Sequence, residues 1–227
     1  MKILIVLTSH DKLGDSGKKT GFWLEEFTTP YYALKDAGAE VALASPKGGQ
    51  PPMDPLSDLP ERATLSTERF HADRAAQAEL ASTKPLADVS ANNIDAVFYP
   101  VGHGPMWDMP NNTAFIALIE ALIKDDKPVA AICHGPIALV NVRGKDCDYL
   151  VRGKHVAGFS NDEEDTGGLT KFVPYLLEDM LRERGAIYSK TEKYTPHIQV
   201  DGRLITGQNP ASASSAAEAL LKLLRAA

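Results

Sequence analysis

The chain has little cysteine: among its 227 residues only Cys133 and Cys147 are of this type. A chain of this length can bury a core large enough to be stable without disulfides. We therefore expect reduced thiols and a cytoplasmic protein rather than a disulfide-built secreted one. Cys147 lies between two aspartates, whose charge opposes a thiolate, so Cys133 is the cysteine of interest.

Long hydrophobic runs and basic clusters are also missing. No stretch approaches the ~20 apolar residues needed to cross a bilayer, and residues 3–7 are apolar over too short a length for a signal peptide. The chain has 24 Lys and Arg against 30 Asp and Glu, with the basic residues scattered. We expect a soluble protein that binds neither membranes nor nucleic acid.

Motifs for metals and nucleotides are absent as well. The six histidines show no short ligand spacing. Gly102-His103-Gly104 does not match a dinucleotide-binding motif, and there is no phosphate loop. We therefore expect no metal and no other cofactor.

Short apolar runs rich in β-branched residues alternate with longer amphipathic stretches. This order predicts an α/β fold with a mostly parallel sheet and helices on both faces, in a single domain over residues 1–227. The predicted strands are 3–7, 41–44, 96–101, 129–132 and 156–159. An Asp201-Gly202 turn between apolar flanks predicts a hairpin over 198–205.

Capping and stop signals predict four helices between these strands. Thr29-Pro30 is typical of a helix start, and Gly38 of a helix end. The predicted helices are 31–37, 111 or 112 to 124, 174–184 and 211–225. The segment 46–86 interrupts the alternation of apolar strands and amphipathic helices. It is rich in Pro, Ser and charged residues and has a helical patch at 72–80. It is either an insertion that shapes a site or a solvated connector.

A strand-to-helix turn is predicted at Cys133, where the apolar run 129–132 meets Gly135 and Pro136. Such a turn projects its side chain over the carboxyl edge of the sheet, where open α/β sheets bind ligands. A helix N-terminus behind the cysteine would lower its pKa and favour the nucleophilic thiolate. The alternative is that Cys133 is a small buried hydrophobe.

His134 follows the cysteine directly and has two candidate uses. Its backbone N–H is placed to stabilise an oxyanion, and its imidazole is a candidate general acid or base. Gly135 leaves room for the close backbone approach that a sharp turn requires.

Five segments in family order resemble the ThiJ/PfpI (DJ-one) superfamily, and within it the branch of glutathione-independent glyoxalases that is similar to heat-shock protein thirty-one. The segments are Thr20 to Glu26, Val101 to Pro105, Ala131 to Pro136, Gly153 to Phe159 and Thr206 to Ser212. The resemblance implies a flavodoxin-like three-layer α/β sandwich and a homodimer. It extends from the first strand to the last helix.

The resemblance also implies roles for individual residues. Cys133 would be the nucleophile and His134 its partner, with Glu26 beside the thiol in its neutral form. The N–H groups of Gly102 and His134 would form an oxyanion hole. An acid five residues past Phe159, Glu164 with Glu163 as the alternative, would orient the imidazole, and His103 either lines the pocket or is a structural histidine.

Three functions then remain open. The first is a lyase that converts methylglyoxal or a related 2-oxoaldehyde, a small carbonyl substrate, to a 2-hydroxy acid such as D-lactate without glutathione. The second is a cysteine hydrolase, either an amidase, a peptidase or a deglycase. The third is a stress-response chaperone or a cysteine redox sensor.

Overall fold

A seven-stranded sheet forms the centre of the computed structural model, which describes residues 1–226. The strands are β1 (Lys2–Val6), β2 (Glu40–Ser45), β3 (Lys84–Pro85), β4 (Ala96–Tyr99), β5 (Val129–Ile132), β6 (His155–Val156), β7 (Ile187–Tyr188), β8 (Ile198–Asp201) and β9 (Leu204–Gly207). The order in the main sheet is β3-β2-β1-β4-β5-β9-β8, and every neighbouring pair except β8 and β9 is parallel. The predicted mostly parallel sheet and the hairpin are confirmed.

Helices cover both faces of this sheet. They are α1 (Leu24–Asp36), α2 (Leu65–Ala72), α3 (Arg74–Ala81), α4 (Pro105–Asp108), α5 (Thr113–Lys124), α6 (Asn161–Thr166), α7 (Leu177–Glu183) and α8 (Ala213–Arg225). Short 3₁₀ helices span Pro55–Asp58, Pro60–Arg62, Leu86–Asp88, Ala91–Asn93, Gly135–Leu139 and Pro210–Ser212. Within residues 1–226, no helix is both long enough and apolar enough to cross a membrane.

Two hydrophobic clusters, one on each face of the sheet, make the three layers. In β1, Leu4 and Val6 belong to the cluster that contains α5 side chains, whereas Ile3 and Ile5 belong to the cluster with α1 and α8 side chains. Successive strand residues point to opposite faces, so a strand covered on both sides is apolar throughout. This is why the apolar runs predicted the sheet, and the predicted α/β sandwich is confirmed.

Helix α1 begins seven residues earlier than predicted. Its N-cap is Trp23, and Pro30 lies inside the helix. The Thr29-Pro30 pair therefore does not start a helix, and that prediction was wrong. Proline lacks the N–H that would bond to the carbonyl of Glu26, a loss that normally disfavours an interior proline. Burial of one face of α1 against the sheet offsets it.

Two other predicted boundaries were wrong. The predicted strand 156–159 is only the two-residue β6, which pairs with β7 in a separate sheet. The residues that follow turn back toward the main sheet, where the Phe159 N–H donates to the Cys133 carbonyl at 2.8 Å. Helix α7 begins at Leu177 rather than at Pro174, whereas Asn112 caps α5 as one of the two predicted caps.

The segment 46–86 contains β3, α2 and α3 and packs along the chain just before α1. The Phe22 N–H donates to the Pro52 carbonyl at 2.9 Å, and the Asp54 N–H donates to the Phe22 carbonyl at 2.8 Å. A Cβ at Gly21 would lie 2.0 Å from the Pro52 oxygen. The close approach of these two backbones therefore requires glycine at position 21.

Candidate active site

The backbone of Cys133 makes a sharp turn at the carboxyl end of β5. Its φ of 57° lies in the left-handed region, a conformation that costs a non-glycine residue about 1–3 kcal/mol. Two hydrogen bonds hold it: the Cys133 N–H donates to the Gly207 carbonyl at 2.9 Å, and its own carbonyl accepts from Phe159 at 2.8 Å. The turn places the thiol above the edge of the sheet, as the sequence predicted.

Gly135 allows this turn to pack against the neighbouring strand. A Cβ at position 135 would lie 2.7 Å from the carbonyl oxygen of Tyr99, at the end of β4. Real Cβ atoms do not approach a backbone oxygen so closely, so only glycine fits. The prediction that Gly135 gives room for a close backbone approach is confirmed.

The Cys133 thiol is buried, with only 3% of the residue exposed. Burial raises its pKa well above the ordinary value, and the neighbouring Glu26 carboxyl raises it further, against a lowering effect of the His134 N–H. The segment behind the turn is the 3₁₀ helix 135–139 rather than an α-helix. The predicted lowering of the pKa was therefore wrong, because loss of hydration outweighs the N–H groups of one short turn.

Glu26 comes from α1 and is 1% exposed. Burial raises the pKa of its carboxyl well above the ordinary value, against the lowering effects of hydrogen bonds from Cys133 and from the Val101 backbone. Its Oε2 accepts from the Val101 N–H at 3.3 Å. Its Oε1 is buried and has no protein hydrogen-bond partner within residues 1–226. The side chain is thus a neutral acid with a free proton-carrying position beside the thiol.

His134 joins the thiol to an acid. Its Nδ1 lies 3.4 Å from the Cys133 Sγ, and its Nε2 lies 2.7 Å from the Glu164 Oε2. Burial lowers the pKa of His134, and His103 lowers it further, so the ring is neutral. Because an ionised Glu164 only accepts hydrogen bonds, the proton lies on Nε2 and the Nδ1 lone pair faces the thiol.

Glu164 receives hydrogen bonds from two histidines. Besides His134, the His103 Nε2 donates to its Oε1 at 2.9 Å. Burial by itself raises the pKa of Glu164, but His134 and His103 outweigh burial and the net effect lowers it. Of the two acids that the resemblance left open, Glu164 is the one bonded to the imidazole.

His103 therefore lies within the site as well as at the end of a strand. Its ring centroid is 4.1 Å from that of His134. His103, His134 and Glu164 bring their ligand-type atoms within 4.8 Å of one another, although their spacing in the sequence gives no sign of it. Glu164 bonds to both histidines, one through each carboxylate oxygen.

Gly102, the other member of the expected oxyanion hole, is packed tightly. A Cβ at this position would lie 2.7 Å from the Gly21 oxygen and 3.1 Å from the Trp23 nitrogen. In the described chain its N–H donates to no backbone carbonyl. The Gly102 N–H is thus an unused donor at the end of β4, the strand next to β5.

Comparison with known proteins identifies the family of this chain. The sequence profile of the DJ-1/PfpI family matches residues 19–223. The chain belongs to the DJ-1/PfpI family. The resemblance identified from the motifs is therefore confirmed.

Similar proteins include two named as glyoxalases and one named for encystment. Glyoxalase 3 of Candida albicans is 30% identical over 227 residues, covering 96% of each chain. The crystal structure of glyoxalase III from Candida albicans superposes with a TM-score of 0.89 at 28% identity, covering 98% of this chain and 96% of that one. A Francisella tularensis structure titled Rapid Encystment Protein 24 KDa has a TM-score of 0.94 at 39% identity and covers 98% of each chain.

Sequence reasoning missed the role of Glu163, the neighbour of Glu164. Its fully buried carboxylate accepts from Ser160, from the Tyr194 N–H at 2.9 Å and from the Asn209 amide at 2.9 Å. It thereby joins α6 to the loop before β8 and to the turn before α8. The Ser-x-x-Glu pattern of a capping box over 160–163 was the available signal.

Proposed function

We propose that this chain is a cysteine-dependent, glutathione-independent glyoxalase-like lyase that converts methylglyoxal or a related 2-oxoaldehyde to a 2-hydroxy acid, D-lactate from methylglyoxal. The observation that carries the proposal is that the buried Cys133 sulfur has two proton-transfer groups beside it, the Glu26 carboxyl and the His134 Nδ1 at 3.4 Å. Burial raises the pKa of the thiol and of the carboxyl and lowers that of the imidazole, which favours the neutral form of all three. The names of the Candida relatives support it. The reaction adds one water to the substrate and needs no external thiol.

In the first step, the Cys133 sulfur attacks the aldehyde carbon and its proton passes to the His134 Nδ1, 3.4 Å away. The Glu26 Oε1 proton goes to the aldehyde oxygen, which gives a neutral hemithioacetal. The N–H groups of Gly102 and His134 stabilise the negative charge that develops on this oxygen. Glu164 holds the protonated imidazole in orientation.

The second step is an isomerisation between the two substrate carbons. The Glu26 carboxylate takes the proton from the former aldehyde carbon, and His134 gives its proton to the ketone oxygen, so an enediol forms. Glu26 then returns the proton to the ketone carbon while His134 takes the hydroxyl proton from the sulfur-bearing carbon. The product is a thioester of Cys133 with a 2-hydroxy acid.

Hydrolysis closes the cycle. Water gives one proton to the Glu26 carboxylate and adds its hydroxide to the thioester carbon. The leaving sulfur recovers its proton from His134, so thiol, carboxyl and imidazole return to their resting states. A simple hydrolase needs only the cysteine, the histidine and the acid that orients the histidine. The isomerisation also requires a group that moves a proton between the two substrate carbons, and Glu26 does this. For this reason the geometry favours the lyase over the hydrolase.

The test supplies methylglyoxal to the purified protein without any added thiol and measures D-lactate with a stereospecific assay. We expect turnover by the parent and a loss of at least about 10³-fold in kcat/KM for Cys133→Ala and Glu26→Gln, since each change removes a step. Cys147→Ala is the matched control, because Cys147 is exposed and outside the site, and it should retain full activity. No lactate from the parent, or full activity of Cys133→Ala, would refute the proposal.

A further inference from the structure

Arg62 lies in the segment 46–86 and is held in place by the backbone. It ends the 3₁₀ helix Pro60–Arg62, and its N–H donates to the Leu59 carbonyl at 2.8 Å. The preceding turn is capped by Asp54, whose buried side chain accepts from the Leu56 N–H at 2.9 Å and from Thr20. The main chain that carries Arg62 is therefore well anchored beside residues 20–22.

The guanidinium of Arg62 is exposed yet has no ion-pair partner in the described part of the chain. Its Cζ lies over the Trp23 ring, 5.7 Å from the ring centroid. Glu25 is close enough to feel its charge: burial raises the pKa of Glu25 and Arg62 lowers it. Arg62 is thus a cation with its hydrogen-bond donors free for a ligand.

Trp23 connects Arg62 to the reacting centre. Its backbone nitrogen would lie 3.1 Å from a Cβ at Gly102, so the main chain of Trp23 passes beside the expected oxyanion hole. Two residues further along the chain, α1 carries Glu25 and then Glu26. Arg62 therefore stacks on the residue whose main chain lies beside Gly102 and three positions before Glu26.

Tyr194 lies near both Arg62 and the candidate active site. Its backbone φ of 61° is left-handed, and its N–H donates to the Glu163 Oε1 at 2.9 Å. Burial raises the pKa of its phenol, and the titratable groups near enough to act on it include Arg62, Glu164 and Cys133. Tyr194 is 49% exposed, and its hydroxyl donates to the Glu163 carbonyl at 3.3 Å.

We propose that Arg62, stacked on Trp23 and close to Tyr194, forms an anion-binding rim that selects 2-oxoaldehydes with a carboxylate beyond the ketone. This inference rests on the proposed function. An arginine fork binds a carboxylate through two parallel hydrogen bonds, and the ring beneath it limits the orientations of the guanidinium. The rim would hold the far end of such a substrate while the aldehyde reaches Cys133.

The experiment compares three substrates: methylglyoxal, 4,5-dioxopentanoate and the methyl ester of 4,5-dioxopentanoate. Acid and ester have the same dicarbonyl end, so the ratio of their KM values isolates the carboxylate. We expect the parent to favour the acid about fivefold, as for an exposed ion pair. Raised salt should reduce this preference.

Variants assign the preference to Arg62. In Arg62→Gln the preference for the acid should vanish while kcat/KM for methylglyoxal stays unchanged, and Arg62→Lys should keep part of it. Arg74→Gln is the matched control, because Arg74 is an exposed arginine of the same segment, at the start of α3, and it should behave as the parent. Turnover of all three substrates with no difference between acid and ester would overturn the rim.

Failure of the rim and failure of the proposed function are distinguishable. Absence of turnover with every substrate would refute the lyase but not the rim. In that case we would titrate Cys133→Ala with 4,5-dioxopentanoate and with its ester in a calorimeter, and compare the two affinities. Tighter binding of the acid that Arg62→Gln abolishes supports the rim, and equal binding overturns it.

Discussion

The resting state of the nucleophile depends on what surrounds one sulfur atom. Cys133 and Glu26 are both buried, and burial raises the pKa of each. Glu26 raises the pKa of the thiol further, whereas the hydrogen bond from Cys133 only partly offsets the effect of burial on the pKa of Glu26. The neutral pair is therefore the stable one, and the thiolate forms only while His134 accepts the proton during attack. This differs from a cysteine activated permanently by a helix N-terminus.

Alkylation with iodoacetamide tests this state. Cys147 is exposed and provides a comparison within the same molecule. We expect Cys147 to react first at pH 7, and the rate for Cys133 to keep rising above the free-thiol pKa of about 8.5. Glu26→Gln should raise the Cys133 rate at a given alkaline pH, because it removes a carboxyl group that raises the thiol pKa. Faster reaction of Cys133 than of Cys147 at pH 7 would contradict the neutral thiol.

Glu164→Gln tests the support of the imidazole. The carboxylate raises the pKa of His134 against the lowering effect of burial. Removing its charge should therefore lower that pKa further and move the acid limb of the kcat/KM profile to lower pH. The plateau should fall by about 10²–10⁴-fold, since an amide can hold the ring in the wrong tautomer.

The matched control for this change is Asp165→Asn, because Asp165 is an exposed acid on the same helix, α6. We expect its pH profile to overlay that of the parent. A Glu164→Gln variant with an unchanged acid limb would mean that Glu164 does not control the protonation of His134.

At the scale of elements, the segment 46–86 approaches the chain just before α1 most closely at Gly21. Gly21→Ala would place a Cβ 2.0 Å from the Pro52 oxygen, and a backbone atom cannot move as a side chain does. We expect a loss of about 1–3 kcal/mol in the free energy of unfolding, measured by urea denaturation. Methylglyoxal turnover should also fall, because the hydrogen bond from the Asp54 N–H to the Phe22 carbonyl is disturbed.

Gly167→Ala is the control for this substitution. Its added Cβ would meet its nearest atoms at 3.5 Å, an ordinary contact, at the end of α6. We expect a change within about 0.5 kcal/mol. Equal unfolding free energies of the two variants would show that the approach of Pro52 to Gly21 is not tight.

Predictions for elements succeeded where the local pattern matched the forces that form them. The central strands were located correctly because burial on both faces makes them apolar throughout. Helix α1 was misplaced because Thr29-Pro30 resembles a start signal, whereas packing extends the helix to Leu24. The strand at 156–159 was overextended because an apolar run does not reveal which residues pair.

For the whole molecule, the assembly state is a prediction carried by the family resemblance. We expect two chains per particle, which sedimentation velocity at micromolar concentrations measures. A concentration-dependent dissociation would give the strength of the contact. A single monomeric species at all concentrations would contradict the homodimer.

The sequence by itself determined the layered α/β fold and the turn at Cys133. Both follow from local patterns, since strand burial sets the apolar runs and Gly135 permits the turn. Only the tertiary structure decided the charge of the thiol, because its pKa depends on desolvation and on Glu26, which lies on another element. It also brought His103 to Glu164 and Arg62 to Trp23. Such contacts join residues that are far apart in the sequence, so a local sequence pattern does not predict them.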